Sequence, residues 1–471
     1  MFIGRQKELN ALESLYKSDK FEFAVIYGRR RVGKTALINY FMDNKKSIYF
    51  MGLESNEKQN LENLSKSIIE FSSGIWADSY FASFQAALEY VFELAKKERI
   101  ILAIDEYPYV ARASSSLAST LQMLIDKNKD ESKLMLILCG SSMSYMEDKV
   151  LAYKAPLYGR RTAQLKVMPF EFEECCDYLK DLSDEDKALM YGIVGGTPQY
   201  LLQMNDKLSV EENIKNTYLN PISFLYEEPV NLLKQEVREP AIYNAIVTAI
   251  AMGYSKMSEI STKVGESTTV CSGYIKNLID LGIIRREVPY GEKISRKSIY
   301  SIEDNMFCFW YKFILGNMPM IVRGGADLVY KRIEAGLSNY MGRVFEEICT
   351  QYLWKQLMRG SMPIEFVSLG RWWGNDSKNK TQTEIDIMGE QDSSSAIFAE
   401  CKWRNENVDL DILEMLIERS RLFSYTNVHY FVFSKTGFTK GCVKKAGDMG
   451  NVNLVSYKDI VKLFASKGGQ I

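Results

Sequence analysis

The chain has 471 residues, with 59 basic and 60 acidic side chains and a single histidine, for a net charge of −1. That length suits roughly three domains at about 150 residues each, and the near-zero balance excludes a global field that would draw the whole molecule onto nucleic acid or a membrane surface. Eight cysteines without a CxxC pair, beside the lone His429, argue against a structural zinc centre or a disulfide framework, and with no apolar leader or membrane-length run the expectation is a reduced, cytoplasmic protein with no membrane partner.

The first predicted strand, 23–27, is apolar and delivers the chain to Gly28-Arg29-Arg30-Arg31-Val32-Gly33-Lys34-Thr35, from which Ala36 leads into a helix. Strand, GxxxxGKT loop and helix in that order form a phosphate-binding loop, whose backbone N–H groups wrap a polyphosphate. Lys34 is expected to reach the β- and γ-phosphates, while Thr35 opens the helix, where the dipole favours an anion and the hydroxyl can ligate Mg²⁺. The expected ligands are therefore ATP and Mg²⁺.

Further strands predicted at 47–51, 100–104 and 134–139 alternate with amphipathic stretches, the pattern of a parallel sheet covered by helices, so the fold class is α/β. The third strand ends in Asp105-Glu106; Asp105 is expected to hold the Mg²⁺ shell and Glu106 to polarise the attacking water. Ser141 follows the next strand at the sheet's carboxyl edge, as a γ-phosphate sensor or as a plain strand-to-turn residue. Arg160 and Arg161 could supply charge to the transition state, within the chain or in a neighbouring copy of a homo-oligomer; a surface basic pair is the alternative.

An intervening strand between the two nucleotide motifs, with a glutamate directly after the aspartate, resembles the additional-strand branch of P-loop ATPases that includes AAA+ and STAND proteins. The start Phe2-Ile3-Gly4-Arg5-Gln6-Lys7-Glu8-Leu9 and the turn Gly196-Thr197-Pro198 narrow the resemblance to the archaeal-type ATPases of the STAND group. That resemblance implies that Thr197 and Pro198, in a helical lid, lie close to the nucleotide.

The predicted division is an ATPase domain at 1–168, a helical lid at 169–234, a winged helix-turn-helix at 235–304, an aromatic connector at 305–336 and a rear domain at 337–471. Helices at 240–250, 256–264 and 268–281 followed by strands at 283–288 and 298–302 carry the winged-helix reading. Lys276, Arg285, Arg286, Lys293, Arg296 and Lys297 could meet DNA phosphates, or form a solvated wing on a protein-docking module.

In the rear domain Glu400 and Lys402, two apart on a predicted strand, share a face that Asp386 can approach from the preceding strand. Two carboxylates and an ammonium are what metal-assisted phosphodiester hydrolysis needs. With Glu346 on the preceding helix, the pattern resembles the PD-(D/E)XK nuclease superfamily, although no proline precedes Asp386. The resemblance implies Asp386, Glu400 and Glu346 as metal ligands and Lys402 as a catalytic residue. Gly370-Arg371-Trp372-Trp373-Gly374 could stack on nucleic acid or end a strand. Two functions are carried forward: an ATP-controlled switch with metal-dependent DNA cleavage, and a regulatory ATPase whose winged helix and silent rear domain bind DNA or a protein partner.

Overall fold

A computed structural model describes residues 2–73, 80–292, 297–376 and 380–465. They divide into two compact units, one running to Pro169 and including Thr197–Gln199, the other made of Phe170–Gly196 and the chain from Tyr200 onward. No described helix is long and apolar enough to cross a membrane.

The first unit is built on strands β1 (Glu22–Tyr27), β2 (Ser47–Met51), β3 (Ile100–Asp105), β4 (Leu134–Gly140) and β5 (Ala163–Lys166), in the order β2-β3-β4-β1-β5. Every pairing is parallel. Strands β1, β3 and β4 are buried at every position, which explains their unbroken apolar sequence: helices cover both faces, so neither face needs polar alternation. Phe23, Val25, Leu102 and Leu136 point into one core layer, and Ala24, Ile26, Ala103 and Ile137 into the other. The register sets Tyr27 opposite Gly140 and Met51 opposite Asp105, so the carboxyl ends of β1, β3 and β4 share one edge. Helix α1 (Lys34–Met42) starts there, and α2 (Leu117–Asn128) returns the chain to the opposite edge ahead of β4.

In the second unit, four segments that the sequence separates share one hydrophobic core. Ile193 of helix α3 (Asp184–Val194), Ile246 of α4 (Pro240–Ala251), Trp310, Phe345 and Phe431 all belong to it. Helix α4, α5 (Met257–Val264) and α6 (Thr268–Asp280) precede an antiparallel hairpin of β6 (Ile284–Glu287) and β7 (Ile299–Ile302). Of the predicted basic wing residues, Lys293 and Arg296 lie outside the described residues.

A 33-residue helix, α7 (Ala326–Met358), leads into a second sheet of β8 (Gly370–Asp376), β9 (Thr381–Glu390), β10 (Ser395–Lys402), β11 (Asn427–Ser434) and β12 (Val452–Ser456). Strands β8, β9 and β10 pair antiparallel, then β10, β11 and β12 parallel. Strand β10 divides its side chains by parity: Ile397, Ala399 and Cys401 join the core shared with α7, and Ala396 and Phe398 the layer beneath α8 (Leu410–Ser420). Glu400 and Lys402 continue the second row.

Candidate functional site

At the carboxyl end of β1 the loop is shaped by close backbone approach. A Cβ on Gly28 would lie 2.3 Å from the Val167 carbonyl oxygen, so only glycine fits. Gly33, at φ 88°, caps α1 and faces Pro198, whose Cγ is 3.6 Å from where a Cβ would sit. The first turn of α1, at Lys34, Thr35 and Ala36, carries the positive end of the helix dipole. Lys34 Nζ donates to the carbonyl oxygens of Gly28 and Arg29, at 2.9 and 3.0 Å.

Asp105 is the hub beside this loop and is 1% exposed. Its Oδ2 accepts from Thr35 Oγ1 at 2.6 Å and from the Tyr49 hydroxyl at 3.0 Å, and its Oδ1 from the Glu106 amide at 2.9 Å. Burial, then the Asp105 charge, pushes the Tyr49 hydroxyl well above its ordinary value, so it stays a donor. Glu106 adopts a left-handed conformation at φ 49°, and its Oε2 accepts from Ser141 Oγ at 2.9 Å. The loop arginines also have tertiary partners: Arg29 Nη2 donates to Thr197 Oγ1 at 3.0 Å, and Arg30 Nη2 to the Tyr109 hydroxyl at 2.7 Å. The Arg31 carbonyl accepts from the Gln199 amide, and buried Arg5 donates to the Val32 carbonyl at 2.8 Å. A hydroxyl and a carboxylate meeting beside a polyphosphate loop form a hard-oxygen set suited to Mg²⁺ with phosphate oxygens.

The second sheet brings another group together. Glu346, Glu384, Asp386, Glu400, Lys402 and Arg419 line one cavity of about 670 Å³. Asp386 Oδ2 accepts from the Cys401 amide at 2.8 Å, with Lys402 Nζ 3.9 Å away. Glu400, 3% exposed, is paired through Oε1 with Lys402 Nζ at 2.6 Å and through Oε2 with Arg419 Nη1 at 3.2 Å. Burial, then the Asp386 charge, pushes the Glu346 carboxyl up to about 8. Burial first, then Asp386, raises Glu400 as well. The donor chemistry suits a hard cation, but the arrangement does not: among the described residues no group of three or more His, Cys, Asp and Glu side chains is set to hold a metal ion.

A family described as an ATPase domain predominantly from Archaea matches residues 2–204, and one described as archaeal and bacterial proteins of unknown function matches 310–413. Protein MJECL04 of Methanocaldococcus jannaschii is 33% identical over 410 residues, which is 86% of this chain and 88% of that protein. The chain belongs to this archaeal-type ATPase family. The ATP-binding protein MJ0147 of the same organism is 24% identical over 273 residues, 46% of this chain and 73% of its own. The Walker-type ATPase Paby2304 of Pyrococcus abyssi superposes with a TM-score of 0.52 at 19% identity, over 66% of this chain and 96% of that one, and shares the fold.

The archaeal-type ATPase thus has a P-loop sheet that binds and hydrolyses ATP, and one sequence expectation about it needs correction. Arg160 and Arg161 precede β5, which runs parallel to β1, and the neighbouring Thr162 amide bonds the Phe23 carbonyl. They sit at the amino edge of the sheet, a four-residue strand or roughly 13 Å from the phosphate-loop edge. Arg160 forks onto Asp126 at the end of α2, at 2.9 and 2.6 Å, and Arg161 lies over the Tyr158 ring. Neither can reach the nucleotide of its own chain.

Part of the described basic footprint of the hairpin is tied up in ion pairs. Arg285 pairs with Glu287 and Lys297 with Glu292, and Lys276, Arg286 and Lys297 are the exposed cations among the described predicted contacts. Sequence reading missed Tyr49, Tyr109 and the anchoring role of Arg5. Tyr49 becomes visible only once β2 is known to lie beside β3, because its partner is then across the sheet.

Proposed function

We propose that this ATPase is a regulatory switch: its nucleotide state is read by the Gly196-Thr197-Pro198 turn, and its second unit binds DNA or a protein partner without cutting it. The supporting observation is the continuous run of hydrogen bonds from Thr35 through Asp105 and Glu106 to Ser141, which joins the phosphate loop to the residue able to orient water. In this reading the loop amides and Lys34 bind the β- and γ-phosphates, and Glu106 polarises the attacking water while Ser141 holds it in place. Magnesium, held by Thr35 and Asp105, would offset charge on the phosphates. Thr197, bonded to Arg29 of the loop, senses the filled site.

Contact with DNA would come through α4 to α6 and the hairpin as a winged helix, from Lys276 and Arg286. Loss of ATP turnover with Lys34→Ala, together with nucleotide-dependent DNA or partner binding, tests the reading. Binding that is identical with ATP, ADP and no nucleotide would sink it.

A second reading, metal-dependent phosphodiester cleavage, is favoured by one observation: Glu346, Asp386, Glu400 and Lys402 line a single cavity beside the mixed five-stranded sheet. Incubation with plasmid, linear and single-stranded DNA in Mg²⁺ or Mn²⁺ tests it. Cleavage abolished by Lys402→Ala would establish the nuclease, and intact DNA in every lane would leave the silent reading standing.

A further inference from the structure

We infer that Arg419 is an internal counter-cation that occupies the Glu400 carboxylate in place of a divalent metal, so the rear cavity stays metal-free until Arg419 is drawn away. This rests on the reading in which the second unit binds without cutting. Glu400 is buried, and a buried carboxylate is costly unless it is compensated. Here the compensation is complete on both edges: Lys402 takes Oε1 and Arg419 takes Oε2. A Mg²⁺ bound to Oε2 at about 2.1 Å would need the space and charge position that the guanidinium now fills. Asp386, the other expected ligand, already accepts the Cys401 amide through Oδ2.

Arg419, in the last turn of α8, is the more loosely held of the two cations: its contact with Glu400 is 3.2 Å against 2.6 Å for Lys402, while both side chains are partly solvent-facing. The cavity also presents Arg404 and Lys402, so a phosphodiester entering it meets three cations. A phosphate oxygen competes with Glu400 for the Arg419 fork, and transfer of Arg419 to the phosphate exposes Oε2 to a metal ion. Cation binding and phosphodiester binding are thereby coupled through one side chain.

The test is a Mn²⁺ titration of the full chain by electron paramagnetic resonance, in an Asp105→Asn background that removes the front acid. The parent is expected to take up no Glu400-dependent Mn²⁺. Arg419→Gln should gain one Mn²⁺ per chain, at least about tenfold tighter than any binding by the parent, and the further change Glu400→Gln should remove it. Arg419→Lys, which keeps the charge, should remain metal-free. If Arg419→Gln does not fold, Arg419→Met carries the same prediction. Equal Mn²⁺ uptake by parent and Arg419→Gln, whether both bind or neither does, overturns the inference. DNA cleavage by the native chain is read separately: it would sink the silent reading itself, whereas an unchanged titration without cleavage would sink only the role of Arg419.

Discussion

Asp105 and Glu400 are both buried acids at the end of a strand, but they are satisfied in different ways. Asp105 accepts from a threonine hydroxyl, a tyrosine hydroxyl and a backbone amide. Glu400 is gripped by an ammonium and a guanidinium. Hydrogen bonds from neutral donors to a carboxylate contribute about 1.5–3 kcal/mol net apiece. A broken buried ion pair costs about 3–5 kcal/mol. The front acid is therefore poised for a ligand, and the rear acid is already provided with one from its own chain. Similar residue types can thus mark an open site or a closed one, and only their partners decide which.

The largest expected effect that tests this contrast is at the front. Lys34→Ala should remove ATP turnover, measured by phosphate release, and weaken binding of a fluorescent nucleotide. Glu106→Gln should slow turnover by roughly 100-fold while nucleotide still binds; an unchanged rate would displace Glu106 from its proposed role. Gly196→Ala puts a Cβ 1.8 Å from the Phe170 carbonyl oxygen, so the backbone must move. Thermal unfolding should register about 1–3 kcal/mol of lost stability. Tyr49→Phe removes one of the neutral donors to Asp105, and a few-fold change in the Mg²⁺ concentration for half-maximal turnover is expected, with ATP affinity kept.

A separate effect concerns charge pairing within the second unit. Although burial works against it, the charges of Arg343 and Arg285 depress the Glu287 carboxyl to about 2. A depressed acid contributes stability above its unfolded value, near 4.5, and loses it as pH falls toward 2. Glu287→Gln should therefore flatten the acid limb of the stability profile between those values. An identical acid limb would remove Glu287 from the pairing argument.

The front site was legible because its chemistry is contiguous. Gly28 through Thr35 form one loop, and the acids follow one strand, so spacing alone carries the geometry. The rear site was legible only as a set of residue types. That Glu400 and Lys402 share a face follows from strand parity, but Arg419 lies 19 residues from Glu400 on the following helix, and nothing in a strand pattern points to it. Arg160 and Arg161 stayed open between a nucleotide role and a surface basic pair for the same reason. Proximity in sequence to the next strand says nothing about which edge of the sheet they occupy, whereas the parallel register of β1 and β5 settles it. Tyr49 was hidden because strand order is a tertiary fact.

The three residues Thr197–Gln199 belong by packing to the phosphate-loop unit, while the chain on both sides belongs to the other. The front unit is consequently not a continuous stretch of polypeptide. A truncation after Pro169 would yield a fragment with its loop glycine Gly33 facing no Pro198 and its Arg29 without Thr197. Exchange of modules between relatives carries the same constraint, since a transplanted front half must bring a matching tripeptide from inside its neighbour. The tripeptide is therefore inherited with the front unit, although the chain encodes it within the sequence of the other.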